Sequence, residues 1–252
     1  MRPRVLVLLL FVALVGCAPL PWRNPLADWV PSPNHEPRRP ILIVLHATEQ
    51  DSVEESLDTL RTRNSGGPVS SHYLIARDGR IFQLVAEDRR AWHAGPGRWG
   101  TITDVNSASI GIELDHKGTG DFATKQIDAL LRLMDDLCTR LGIPRSQVIA
   151  HADMAPHRKR DPSARFPWAK LAAAGFGPWP AEPFEDPPQG FDPWLALRAV
   201  GYPLDDPGAA LRAFRRRFRG IEAELTDPPP VLDADDARVL HALTRPDAPK
   251  RP

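Results

Sequence analysis

Thiols are almost absent from this chain: its 252 residues hold only Cys17 and Cys138. With a leader ending at Cys17, no intrachain disulfide can form, so the fold rests on its core and Cys138 reads as a small buried hydrophobe. An excess of either charge is absent as well. Lys and Arg number 32 against 32 Asp and Glu, a formal net charge of +0, which leaves no electrostatic hold on nucleic acid. Long apolar runs are missing except Val5–Val15, and that run is shorter than the ~20 residues of a spanning helix. Because Met1-Arg-Pro-Arg4 precedes it, it reads as an export signal. The His-Glu-x-x-His pattern of helical zinc peptidases is absent too, so a metallopeptidase of that kind has no support.

What the chain has in quantity is proline, 28 residues of it, concentrated before residue 40 and between Pro178 and Pro193. Proline-rich chain stays extended and buries little, so both stretches read as linkers. They divide the sequence into a leader at 1–17, a tether at 18–39, a core domain at 40–177, a linker at 178–190 and a helical module at 191–246. Leu14-Val15-Gly16-Cys17 resembles a bacterial lipobox, which implies that Cys17 is lipidated and becomes the first mature residue. Ala18, where retained lipoproteins carry Asp, implies the periplasmic face of the outer membrane. Several acyl chains on one cysteine make such an anchor stable where one would be marginal.

Within the core, Pro40–His46 is a continuous apolar run that ends in a polar residue, the pattern of a central strand delivering His46 at its tip. Ser52 and Glu55 have capping-box spacing, and Val53, Leu57 and Leu60 predict a helix that Gly66 and Gly67 stop. Asp78-Gly79 between the runs 70–76 and 81–85 predicts a hairpin, with His72 as a packing residue. Along Ser109–Leu114, Ile110, Ile112 and Leu114 face one way while Gly111 and Glu113 face the other. A carboxylate beside the space that a glycine leaves is a candidate general base, or else a surface glutamate. The spacing from Thr124 to Leu141 predicts a core helix ended by Gly142, and Val148–Ala150 a short strand that delivers His151.

The segment from His151 to Trp168 packs imidazole, ammonium and carboxylate into one loop. If it folds back, His151 and Asp161 converge on one cation, and His46 is the best third ligand. Two neutral imidazoles and a carboxylate suit zinc, and three protein ligands with an open position is the catalytic arrangement. In Ala91-Trp92-His93-Ala94-Gly95, Trp92 and His93 line a groove for sugar or peptide, or else close the core.

Five blocks, taken in order, resemble the zinc-dependent type 2 N-acetylmuramoyl-L-alanine amidases, and within them the outer-membrane lipoprotein amidases of the AmiD kind. They are Ile43–Thr48, Val69–Ile75, Ala91–Gly95, Ser109–Glu113 and Ile149–Trp168. The resemblance implies an α/β fold, a central mixed β-sheet flanked by helices as in type 2 amidases and peptidoglycan-recognition proteins. It implies that His46, His151 and Asp161 hold Zn²⁺, that Glu113 activates water and that Lys159 steadies the oxyanion. Trp92, His93 and Arg158 would lie near the substrate. The bond cut is the amide between the lactyl group of N-acetylmuramic acid and L-alanine, in peptidoglycan or its anhydromuropeptide fragments, with the protein a monomer on its lipid anchor.

Arg160 and Ser163-Ala164-Arg165 depart from the usual rim sequence without touching the ligand set. A non-catalytic peptidoglycan-recognition protein on the same fold is the alternative, and retention of the ligands with Glu113 argues against it. Three helical patterns after Phe191, with Leu211, Phe214 and Phe218 on one stripe, look like a small three-helix peptidoglycan-binding domain or a helical appendage packed on the core. A separable module of the first kind predicts that truncation near Pro187 leaves cleavage of small muropeptides intact while weakening retention on sacculi.

Overall fold

The structure, a computed structural model, describes residues 23–37, 40–180 and 182–245. The leader, Cys17 and the start of the tether lie outside these residues. In chain order the elements begin with β1 (Asp28–Trp29), β2 (His35–Pro37), β3 (Leu42–Ala47), α1 (Val53–Arg61), β4 (Arg63–Asn64) and β5 (Gly67–Pro68). Next come β6 (Tyr73–Ile75), β7 (Ile81–Gln83), β8 (Arg89–Ala91), α2 (Val105–Ala108), β9 (Ser109–Leu114) and α3 (Thr124–Leu141). The chain continues through β10 (Val148–Ala150), α4 (His151–Met154), α5 (Trp168–Ala173), α6 (Pro193–Val200), α7 (Pro207–Arg219) and α8 (Ala234–Thr244).

Six strands form a mixed sheet in the order β1-β7-β6-β9-β3-β10, antiparallel only at the β6–β7 hairpin. Every residue of β3 and of β9 is buried, as a strand covered on both faces requires. Alternation along β6 shows the two layers. Tyr73 and Ile75 join the large core with Ile127, Leu130 and Met134 of α3, whereas Leu74 joins Val53 and Leu60 of α1 in a smaller cluster on the other face. Helix α3 ends where Gly142 adopts a left-handed φ of 68°, and Cys138 is buried on its inner face.

Two local readings of the sequence are corrected. Residues 23–37 are not a free tether: β1 runs parallel to β7, β2 pairs with β8, and the Asn24 amide hydrogen bonds to Gln83 Oε1 at 2.9 Å. Backbone bonds such as Val30 N–H to the Gln83 carbonyl and Ser32 N–H to the Leu84 carbonyl, both 2.7 Å, secure this segment without a periodic apolar pattern, which is why its composition resembled a linker. Helix α1 stops at Arg61 rather than at the glycines, because Arg63–Asn64 and Gly67–Pro68 pair as a small hairpin. Its start follows the sequence, with Ser52 Oγ accepting from the Glu55 amide at 3.2 Å, but Glu55 returns its bond to the Asp51 amide.

The three C-terminal helices begin on Asp192, Asp206 and Asp233 caps, the first two followed by proline at the first helical position. Their Leu197, Tyr202, Leu211, Phe214 and Leu240 belong to the same core cluster as Trp99, Met154 and Trp168. No helix among the described residues is long and apolar enough to cross a membrane.

Candidate metal centre

The central strands β9, β3 and β10 are adjacent and parallel, so their C-terminal tips open on the same sheet edge, where α/β sheets bind ligands. His46 pairs in register with Glu113, and Ala150 pairs with Leu45, so His151 emerges next to His46. The loop after α4 then turns back, held where the Ala152 amide donates to the Asp161 carbonyl at 2.9 Å. Asp161 Oδ2 consequently lies 3.2 Å from His151 Nδ1 and 3.5 Å from His46 Nδ1, and the two Nδ1 atoms are 2.9 Å apart. All three residues are buried.

Protons on the outer ring nitrogens follow from the partners. His151 Nε2 meets the Ala94 carbonyl at 2.9 Å, and a carbonyl only accepts, so Nε2 carries the hydrogen and Nδ1 of the neutral ring is bare. For His46 the chain is longer. Ser109 Oγ spends its one hydrogen on the Val105 carbonyl at 2.6 Å, so His93 Nε2 donates to Ser109 Oγ at 3.2 Å. Neutral His93 then accepts at Nδ1 from His46 Nε2 at 2.9 Å, which leaves His46 Nδ1 bare as well. Two imidazole lone pairs and a carboxylate oxygen thus face one another with no hydrogen between them. Such a set repels itself unless a cation fills it, and its composition and spacing fit zinc.

Electrostatics agree. Burial, then the neighbouring His151, lowers the His46 pKa to about 4, keeping the ring neutral as a ligand must be. Glu113 is pushed the other way, to about 8, by burial first and then by the Asp161 charge, with Lys159 opposing. Its Oε1 is 3.9 Å from His46 Nδ1, and its buried Oε2 has no hydrogen-bond partner among the described residues. Glu113 lines a cavity of about 200 Å³ together with the three ligand candidates, Lys159, Glu49 and Val69.

The structure therefore brings together His46, Glu113, His151, Lys159 and Asp161. Of the three residues expected at the substrate, His93 lines the cavity and is also the hydrogen-bond partner of His46, whereas half-buried Trp92 is not part of the cavity wall and Arg158 donates to the Ala94 and Pro96 carbonyls. Arg158 thereby braces the same Ala94 carbonyl that orients His151. Sequence reasoning did not find Ser109 or Glu49, which lines the cavity mouth with a positive φ of 54°. His72 is a packing residue as read, its Nδ1 accepting from the Gly111 amide at 3.0 Å.

Gly111 supplies the room for this arrangement. A Cβ there would come within 2.4 Å of the His93 ring. Gly111→Ala is expected to cost about 1–3 kcal/mol through overpacking, read as a lower urea midpoint, and an unchanged midpoint would mean that His93 can leave His46 freely.

A family model described as N-acetylmuramoyl-L-alanine amidase matches residues 36–164. AmiD of Escherichia coli K12 is 40% identical over 180 residues, which cover 65% of this chain and 61% of AmiD. AmpD of Citrobacter freundii, a 1,6-anhydro-N-acetylmuramyl-L-alanine amidase, is 40% identical over 105 residues, 42% of this chain and 56% of AmpD. The match thus spans less than two thirds of the length of both curated relatives. Among solved structures, E. coli AmiD in complex with anhydro-N-acetylmuramic acid-L-Ala-D-gamma-Glu-L-Lys aligns with a TM-score of 0.70 and 34% identity, over 84% of this chain and 91% of that one. Pseudomonas aeruginosa AmpDh3 in complex with anhydromuramic pentapeptide aligns with a TM-score of 0.69 and 32% identity, over 82% of this chain and 92% of that one. The sheet flanked by helices is the fold of these enzymes.

Proposed function

We propose that this chain, which belongs to the N-acetylmuramoyl-L-alanine amidase family, is a zinc hydrolase of muropeptides that cuts the amide between the lactyl group and L-alanine. The observation that carries the reading is the meeting of His46 Nδ1, His151 Nδ1 and Asp161 Oδ2 within 3.5 Å. These three would hold zinc, which when bound supplies a Lewis acid that acidifies water and polarises a carbonyl.

Glu113, facing the same cavity, takes the proton of the attacking water once the positive charge of a bound cation has brought its carboxyl down from about 8, and returns it to the nitrogen of L-alanine as the C–N bond breaks. Negative charge developing on the carbonyl oxygen meets the Lys159 ammonium, which lines the same cavity. The products are the lactyl carboxylate and a stem peptide with a free amine. Anhydromuramic peptides held by AmiD and AmpDh3 support a substrate of that class. Removal of metal by a chelator is expected to abolish cleavage of such a peptide and zinc to restore it; full activity of the metal-free protein would sink the reading.

The protein acts as a monomer on the periplasmic face of the outer membrane, anchored through Cys17, with residues 191–246 as a second contact to the wall. The lipobox-like Leu14-Val15-Gly16-Cys17 supports the anchor, and the helical stripe around Phe214 supports the wall contact. Cys17→Ser will block lipid attachment and leave the protein unprocessed or misplaced, and normal outer-membrane fractionation of that variant would refute the anchor.

A further inference from the structure

We infer that α7 and the segments on either side of it are positioning elements of the catalytic unit, clamping both ends of the loop that carries His151, Lys159 and Asp161. At the first end, Arg217 of α7 donates to Asp153 of α4 and, through Nη2, to the Val148 carbonyl of β10 at 3.0 Å. Tyr202, which follows α6, donates its hydroxyl to the other Asp153 oxygen at 2.6 Å, and Asp153 Oδ2 accepts from the Ala150 amide at 2.9 Å. Asp153 therefore ties the residue just before His151 to two donors from the C-terminal region. Its exposure is 0%, that of Tyr202 2% and that of Arg217 3%, so water cannot replace any of the three.

At the second end, the segment after α7 reaches the return limb of the loop. Glu222 accepts from the Ala164 amide at 2.7 Å and from Arg216 Nε at 2.6 Å, while Arg160 pairs with Glu224. Just beyond the loop, the Arg217 guanidinium lies 4.1 Å from the ring centre of Trp168. A helical module joined only by a linker would leave this loop to hold itself. Here the loop from 151 to 164 is fastened on either side of its ligands by residues 49 to 64 positions further along the chain. Contacts of this outer kind orient metal ligands, and losing one typically weakens metal binding roughly 10- to 100-fold.

The inference rests on the zinc reading for one of its two readouts, so the experiment pairs them in the full mature chain. Zinc affinity is measured by chelator competition, and amide hydrogen exchange of residues 151–164 is measured in the metal-free protein. Arg217→Met keeps bulk but removes both donors; it is expected to weaken zinc about 10- to 100-fold and to speed exchange across the loop, with Arg217→Lys in between. Leu240→Ala, a cavity in buried α8, serves as the control for general destabilisation and is expected to lower Tm without either change.

Should Arg217→Met fail to fold, Glu222→Ala at the more exposed clamp reads the same quantities. Wild-type affinity and exchange in whichever of these variants folds would overturn the inference, as would equal zinc weakening by Leu240→Ala at a matched loss of Tm. Faster loop exchange in a protein whose wild type binds no zinc would support the clamp and refute the zinc reading alone.

Discussion

Glutamine at position 113 will slow hydrolysis of a defined anhydromuropeptide by about 10² to 10⁴, the range for loss of a positioned general base, while zinc content stays at the wild-type level. The substitution keeps size and shape, leaves His46, His151 and Asp161 untouched and removes only the proton acceptor. Its side chain lies at the tip of β9, in register with His46, and presents a buried oxygen with no partner among the described residues to the cavity. In the metal-free protein stability will rise at neutral pH and above, because burial raises the Glu113 carboxyl to about 8 and the neutral amide removes that cost while filling the same space. A normal rate with zinc bound would make Glu113 a bystander, leaving water activation to another group.

Asp161→Ala tests the other half of the site, and here zinc and activity will fall together. The alanine leaves two bare imidazole nitrogens 2.9 Å apart without the anion that offsets the positive charge of a bound cation. The loss of affinity will exceed the roughly 10- to 100-fold that an outer contact costs, measured by the same chelator competition. Retention of zinc by this variant would mean that the metal is held elsewhere. Together the two variants separate holding the metal from using it.

Much of this site was legible before any coordinates, for a local reason. A short continuous apolar run reads as a strand buried on both faces, and its first polar residue then stands near the tip, which pointed to His46 and His151. Strict alternation likewise put Glu113 and Gly111 on one face of β9. What was hidden depends on contacts distant in sequence. The segment 23–37 joins the sheet through Asn24 and Gln83, 59 residues apart, and no periodicity announces such a pair. The second role of His93, orienting His46, was hidden because an imidazole in a glycine-bounded turn says nothing of the Ser109 hydroxyl behind it.

Arg217 was a missed signal of another sort. In the run Arg215-Arg216-Arg217 the eye sees a solvated basic face, yet position 217 is three residues after Phe214 and one before Phe218, on the buried stripe of α7. A charge on a buried stripe calls for a buried partner, and Asp153 in a loop rich in site residues was available. Its involvement also alters the expectation for truncation. A chain cut near Pro187 loses the clamp on the His151 loop, so cleavage of small muropeptides will fall along with retention on sacculi.

The most direct test of the account is product analysis by mass spectrometry after incubating the zinc-loaded protein with a defined anhydromuramoyl peptide in heavy-oxygen water. The account predicts two products, anhydromuramic acid carrying the heavy oxygen in its lactyl carboxylate and an unlabelled stem peptide beginning with the free amine of L-alanine. A muropeptide that is bound and recovered intact, or label found at a bond within the stem peptide, would contradict it.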